Sequence, residues 1–390
     1  MLQTTNWNYP TAIWFGDNRI KDISIALKQL NIKNPLIVTD DALVKLPIMQ
    51  DLTKALEEAN IPFSIFSDVQ PNPTGINVEN GVKTYKQNKN DGVIAFGGGS
   101  ALDAGKTIAF MSGQTLSVWD FEDVGDNWSQ ADENGIAKTI AIPTTAGTGS
   151  EVGRATVITD STNHAKKIIF HPKILPSIVI LDPVLTYNLP KHITAWTGID
   201  ALVHSIEAYC APGFHPMADG IAIEAIRLIK ENLIKAYNNP KNKDARAYML
   251  VAAMMGATAF QKGLGSVHSI AHQLGGLYNM PHGLANSIIL PYALEQNSSA
   301  IEDKMEKLCE YLNIPNPSTK SFIDYILDLR KNLEIPHTLK EAKITNTKAD
   351  EIGTTAYNDP STSTNAKKVD TNDLKNLFLA AYSGDFGLVK

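Results

Sequence analysis

The chain has 390 residues, 43% of them hydrophobic and 19% charged, which is enough for two domains of ~150 residues or more and too apolar for intrinsic disorder. With 35 Lys plus Arg against 41 Asp plus Glu, the net charge is −6, and no dense basic run marks a nucleic-acid footprint. The two cysteines, Cys210 and Cys309, lie far apart without a Cys-x-x-Cys partner; this excludes a disulfide framework or a thiolate zinc site and suits a reducing cytoplasm. Met1-Leu2-Gln3-Thr4-Thr5-Asn6 does not read as a signal peptide. The longest apolar stretches, such as Val251 to Phe260, fall short of the ~20 residues of a membrane span. A cytoplasmic protein with neither a membrane nor a nucleic-acid partner is expected.

In chain order, the first half alternates short β-branched runs with amphipathic helical patterns, the signature of βαβ units around a mostly parallel sheet. Strands are predicted at Leu36 to Thr39, Phe63 to Ser67, Val93 to Phe96, Thr139 to Ile142 and Ile178 to Leu181, each apolar enough to be buried on both faces. Ile20, Ile23, Leu27 and Leu30, then Leu52, Ala55, Leu56 and Ala59, recur at helical spacing and supply crossover helices. After Asp182-Pro183 strand runs become scarce. Helices are predicted from Gly198 to Cys210, Pro216 to Tyr237, Ala245 to Phe260, Ala300 to Leu312 and Lys320 to Leu333, between Gly- and Pro-bearing turns. The expected architecture is an α/β N-terminal domain over residues 1–187 with a mostly parallel sheet, followed by an all-α domain over residues 188–390; glycine-rich loops after strands in the first and a histidine cluster in the second make these the expected dinucleotide-binding and metal-binding domains. The boundary is placed near Tyr187 to Pro190, and the active site in the cleft between the two domains.

Strand Val93 to Phe96 runs into Gly97-Gly98-Gly99-Ser100, after which Ala101 to Lys106 opens a helix. A strand, a glycine turn and a helix start form an anion site, because glycine allows close backbone approach and the first N–H groups face the anion along the helix dipole. Neither Gly-x-Gly-x-x-Gly nor a Walker A motif is present, and a plain βα turn also fits. Pro143-Thr144-Thr145-Ala146-Gly147-Thr148-Gly149-Ser150-Glu151 follows the next strand and offers hydroxyls and glycines for phosphate and ribose oxygens. Asp40 ends another strand. Its carboxylate suits a ribose diol and repels a 2′-phosphate, favouring NAD over NADP, and it equally fits a helix cap. Arg154, Lys166 and Lys167, past the second loop, put positive charge either near phosphates or in solvent.

The second half carries a different chemistry. Asp200 and His204 are four apart, as are His268 and His272, and that spacing puts each pair on one helix face. With His282 close behind, one carboxylate and three imidazoles from this set would hold a divalent ion such as Fe(II) or Zn(II). Helix-face packing with ordinary polar partners is the plainer alternative. His164, His171, His192, His215 and His337 stand apart and suit surface or capping roles.

Taken together and in order, these pieces make the sequence resemble the iron-dependent (group III) alcohol dehydrogenase family over almost the whole chain. They are Pro71-Asn72-Pro73-Thr74, Gly97-Gly98-Gly99-Ser100 with Asp103, Pro143 through Glu151, Gly198-Ile199-Asp200-Ala201 with His204, and Gly265-Ser266-Val267-His268 through Pro281-His282-Gly283. The resemblance implies metal ligands at Asp200, His204, His268 and His282, with His272 near the nicotinamide as a non-ligand, and Asp200, His268 and His272 as the catalytic set. It implies cofactor contacts at Asp40, Asn72, Gly98, Gly99, Ser100, Asp103, Thr144, Thr145, Thr148 and Lys166, with NAD and Fe2+, Zn2+ or another divalent metal as cofactors, and a homodimer or larger assembly. The chain departs from the family pattern at Asn365-Ala366-Lys367, where members often read Asn-Pro-Arg, and at Ala259-Phe260-Gln261-Lys262, where many carry an aromatic followed by Asn-Asn.

The expected reaction is reversible hydride transfer between a small primary alcohol and NAD, giving the aldehyde. Lys262 and Arg154 would favour a carboxylated semialdehyde if they point into the pocket. The rivals are an NAD- and metal-dependent lyase resembling dehydroquinate synthase, which would need basic residues around a phosphorylated substrate, and a metal hydrolase using the glycine loops to hold a phosphate.

Overall fold

Residues 11–162 and 165–389 are described in a computed structural model; Met1 to Asn6 and His164 lie outside them. The β-branched runs of the first half form strands because each alternates its side chains between two apolar faces. The strands are β1 (Ala12–Phe15), β2 (Pro35–Asp40), β3 (Ser64–Val69), β4 (Gly92–Gly97), β5 (Thr139–Pro143), β6 (Ala155–Asp160), β7 (Ala165–Phe170) and β8 (Ile178–Leu181). Six of them make one sheet in the order β1-β8-β5-β4-β2-β3, and every pairing in it is parallel. Leu36 and Val38 of β2 point to one face and join Val93, Val78 and Ile108; Ile37 points to the other and joins Ile94, Ile140, Leu27 and Leu52. Sheets covered on both faces need helices on both, and α1 (Ile23–Leu30), α2 (Pro47–Glu58), α3 (Gly75–Gln87) and α4 (Gly99–Met111) supply them.

The five strands predicted from sequence are all present. Two features escaped that reading. Strand β1, at the sheet edge, is short and half exposed, so its apolar alternation is blurred. The antiparallel hairpin of β6 and β7 is carried by residues such as Lys166 and Lys167, whose polarity hides a strand.

The chain divides into two compact units between Asn188 and Leu189. Among the described residues, the second contains only helices: α5 (Lys191–Cys210), α6 (Pro216–Asn238), α7 (Lys243–Ala259), α8 (Ser266–Tyr278), α9 (His282–Tyr311), α10 (Thr319–Asn332), α11 (Ala349–Tyr357) and α12 (Thr371–Ser383), with short 3-10 turns between several of them. Helix α5 is buried on nearly every side from Thr194 to Tyr209 and packs against α6, α7 and α9. Such all-round burial requires a central element. The sequence predicts a helix only from Ala300 to Leu312, whereas α9 runs 30 residues with Pro291 inside it. Proline lacks the N–H that continues a helix, so it reads as a boundary; here burial of Ile288, Leu290 and Leu294 holds the helix together across it. Among the described residues, no helix is long and apolar enough to cross a membrane.

Candidate active site

In the first unit, β2 leads to β3 on one side while β4 lies on the other. The C-terminal ends of β2 and β4 therefore flank a topological switch point, where open parallel sheets bind ligands. Asp40 closes β2, Gly97 closes β4 and Pro143 closes β5, all at the same edge. Gly97 takes a left-handed φ of 150° that suits only glycine. Helix α4 then begins at Gly99 with Gly98 as its cap and no side chain on its first N–H groups, which suits an anion. The two glycine-bearing loops touch. A Cβ on Gly99 would come within 2.7 Å of Thr148 Cγ2, and one on Gly98 within 3.5 Å of Thr145. Thr144 donates its N–H to Gly97 O at 3.0 Å and is itself buried. Gly98, Gly99, Ser100, Thr144, Thr145 and Thr148 thus share one cradle.

The remaining predicted cofactor residues take more specific places. Asp40 Oδ1 accepts from the N–H groups of Ala42 and Leu43, which is the capping arrangement; its Oδ2 faces Gly97. Asn72 has φ 59° and precedes Pro73, whose carbonyl accepts the Thr159 N–H at 2.7 Å. Lys166 is opposite Thr159 in the hairpin register. Asp103 is turned inward: its oxygens accept from Ser150 Oγ at 2.5 Å and Val157 N at 3.0 Å. Beneath it, buried Lys106 donates to Ser150 O and Ala155 O, both at 2.8 Å. Burial pulls the Lys106 ammonium down to about 8 and pushes the neighbouring Glu151 carboxyl up to about 7.

In the second unit, Asp200 and His204 on α5, His268 on α8 and His282 at the start of α9 place one donor atom each within 4.8 Å of one another. The His204 and His268 rings stack with centroids 4.8 Å apart, and the His272 and His282 rings with centroids 5.5 Å apart. Burial holds His268 down at about 3, so its ring is neutral and carries a lone pair. Asn286, one turn after His282, aims its amide at the group: Nδ2 donates to Asp200 Oδ1 at 2.6 Å, to His282 Nε2 at 3.1 Å and to His268 Nε2 at 3.4 Å. Three acceptors converging on one amide NH2 group mark a place built for positive charge. One carboxylate and three imidazoles fit Fe(II) or Zn(II).

Three residues around this centre were not found from the sequence. Glu207 is buried and contacts His268 Nδ1 at 2.5 Å; burial pushes it up to about 7 against the pull of the Val267 and Gly265 amides. Its signal was spacing, since it lies one turn beyond His204 on α5. Asn286 repeats that relation to His282 on α9. Asp359 binds His272 Nδ1 at 2.8 Å from 87 positions away, and no local pattern could reveal it. Burial alone would raise Asp359, but His272 and the bonds from His272 and Ser361 outweigh it and hold the carboxyl low.

Lys262 does not play the part the sequence suggested. Its side chain is 2% exposed and pairs with Asp219, with the Tyr209 carbonyl at 3.2 Å. Arg154 lies over the Phe170 ring at 5.6 Å. His171 and His215 cap turns through Nδ1, accepting from Lys173 N and Ala218 N.

Comparison with known proteins covers both units. The family model of iron-containing alcohol dehydrogenase matches residues 10–183, and that of the Fe-containing alcohol dehydrogenase family, C-terminal, matches residues 194–382. The chain is 34% identical to the NAD-dependent methanol dehydrogenase of Bacillus methanolicus, over 95% of this chain and 98% of that one. It is 32% identical to the NADPH-dependent butanol dehydrogenase of Clostridium saccharobutylicum, over 96% and 97% of the two chains. The crystal structure of a 1,3-propanediol oxidoreductase superposes with a TM-score of 0.93 at 33% identity, covering 97% of this chain and all of the other. With both halves matched and relatives spanning nearly its full length, the chain belongs to the iron-containing alcohol dehydrogenase family of oxidoreductases.

Proposed function

We propose that the protein is an NAD-linked, divalent-metal-dependent alcohol dehydrogenase that interconverts a small primary alcohol and its aldehyde. The observation that carries this reading is the convergence of Asp200, His204, His268 and His282 within 4.8 Å, in a chain whose other unit holds a glycine cradle at a switch point. A divalent ion held by those four side chains would supply Lewis acidity toward a hydroxyl or carbonyl oxygen, and NAD would carry the hydride. Fe2+ and Zn2+ both suit the donor set, and neither lyase nor hydrolase chemistry is favoured in this family.

The chain's own residues bind and orient. Gly98, Gly99 and Ser100 offer backbone N–H groups to a pyrophosphate, Thr144, Thr145 and Thr148 offer hydroxyls, and Asn72 and Lys166 flank the same edge. Asp40 places a negative charge where a 2′-phosphate would lie. Burial of Asp200, His204 and His268 keeps water from the reacting oxygen. His272, held through Nδ1 by Asp359, presents Nε2 as the atom that gives or takes the hydroxyl proton. With Lys262 committed to Asp219, a neutral alcohol is the better substrate than a carboxylated semialdehyde. A cytoplasmic homodimer or larger assembly accompanies this reading, supported by two free cysteines and by the family resemblance.

The test is reconstitution of metal-stripped enzyme with Fe2+ or Zn2+, followed by assay with NAD and NADP over a panel of primary alcohols and aldehydes. Metal-dependent appearance of reduced nicotinamide with short alcohols, NAD preferred, is the expected result. Turnover that survives metal removal, or no nicotinamide signal with any substrate, overturns it.

A further inference from the structure

We propose that Glu207 is a positioning residue that decides which nitrogen of His268 faces the metal centre. This rests on the reading of that centre as a metal site. Positions 200, 204 and 207 fall on one face of α5, so a single helix presents two candidate ligands and a carboxylate one turn beyond them. Glu207 Oε2 meets His268 Nδ1 at 2.5 Å, and Oε1 accepts the Val267 N–H at 2.8 Å. When ionised, the carboxylate only accepts, so His268 then donates from Nδ1 and keeps its lone pair on Nε2. Nε2 is the atom that the Asn286 amide approaches from the centre.

The same carboxylate also satisfies an N–H in the first turn of α8, alongside Asn365 Oδ1, which accepts the Ser266 N–H at 3.1 Å. Space for both contacts exists because residue 265 is glycine. A Cβ there would lie 2.9 Å from Glu207 Oε1 and 2.7 Å from Asn365 Oδ1. Glutamine is nearly the same size but cannot serve both partners. Its NH2 must face either the Val267 N–H, which leaves the helix start opposed by a donor, or His268 Nδ1, which drives the ring proton onto Nε2 and blocks the lone pair. A merely structural role would be sensitive to the first conflict and indifferent to the second.

The test titrates Co2+ against a competing chelator in the full-length wild type and in Glu207→Gln, with nitrogen-15 NMR of the His268 ring in the zinc-loaded wild type. Expected are a roughly 10–100-fold loss of Co2+ affinity in the variant, NADH binding to the other unit unchanged, and a wild-type His268 that carries its proton on Nδ1. Affinity within twofold of wild type, or a wild-type ring protonated on Nε2, overturns the proposal. The NMR result needs no variant and decides the matter if Glu207→Gln does not fold. A wild type that takes up no Co2+ instead refutes the metal reading itself, and the role of Glu207 with it.

Discussion

The two sites are built from opposite materials. The cradle of the first unit is made of backbone: Gly97, Gly98 and Gly99 matter because they lack side chains, and Thr148 packs where a Cβ on Gly99 would go. The centre of the second unit is made of side chains reaching inward from α5, α8 and α9, with Asp200, His268 and His282 held by the buried side chains of Glu207 and Asn286. A backbone site is broken by adding atoms and a side-chain site by removing them. Substitutions therefore sort the two activities, nucleotide binding and metal retention, if the comparison is sound.

The largest effect belongs to His268→Ala. It deletes a proposed ligand and leaves Glu207 buried without its imidazole, so metal should be lost and turnover should fall by about three orders of magnitude or more, the several kcal/mol that such an ion supplies. NADH binding, measured by fluorescence, should be unaffected. A metal-free His268→Ala enzyme that still turns over would break the comparison at its strongest point.

Next is Lys106→Met, beneath the cradle. It removes the donor to Ser150 O and Ala155 O and leaves buried Asp103 and Glu151 without their cation, at a cost of about 3–5 kcal/mol. The pH profile of the first unit carries a signature. Lys106 is down at about 8 in the folded state against 10.5 unfolded, so between those values the unfolded state binds more protons and wild-type stability rises with pH. Glu151 works earlier and in the other direction: raised to about 7 from 4.5, it makes stability fall as pH climbs through that window. Thermal melts from pH 7 to 10.5 should show the rise in wild type and not in Lys106→Met. Parallel profiles would mean that burial beside Asp103 and Glu151 does not hold the Lys106 ammonium down in the folded state.

Gly99→Ala is smaller and cleaner. The added methyl must displace Thr148, an overpacking cost of roughly 1–3 kcal/mol that falls on the loop proposed to bind the cofactor. A rise in KM for NAD of about tenfold with unchanged metal content is expected. Equal KM values would show that the cradle yields without loss, and that its glycines serve only the turn.

How much of this was legible in the sequence follows the same division. The cradle could be read because glycines directly after an apolar strand are a local pattern, and the candidate metal cluster because Asp200 with His204 and His268 with His272 repeat a helical interval. Glu207 and Asn286 obey that interval as well and could have been read by extending it one turn. Asp359 could not, since only the packing of the 3-10 turn at Pro360–Thr364 against α8 brings it to His272. Lys262 misled for the complementary reason: a lysine close in sequence to a candidate ligand is buried against Asp219 from another helix. What sequence spacing conveys is the face of one element, and the partner on the next is decided by tertiary packing.

The smallest effect tests a residue that belongs to both kinds of construction. Asp40 is a side chain in the backbone-built site, and its Oδ1 already holds the N–H groups of Ala42 and Leu43. Asp40→Asn keeps an oxygen for that cap while removing the charge, so stability should change little, whereas alanine would cost about 1 kcal/mol as a lost cap. Two charges at 4 Å repel by about 1 kcal/mol in water, which is about fivefold in affinity. The ratio of kcat/KM for NAD over NADP should therefore fall about fivefold in Asp40→Asn, with kcat for NAD retained. A ratio that does not move would assign Asp40 to the cap alone and leave coenzyme choice to the neighbouring backbone.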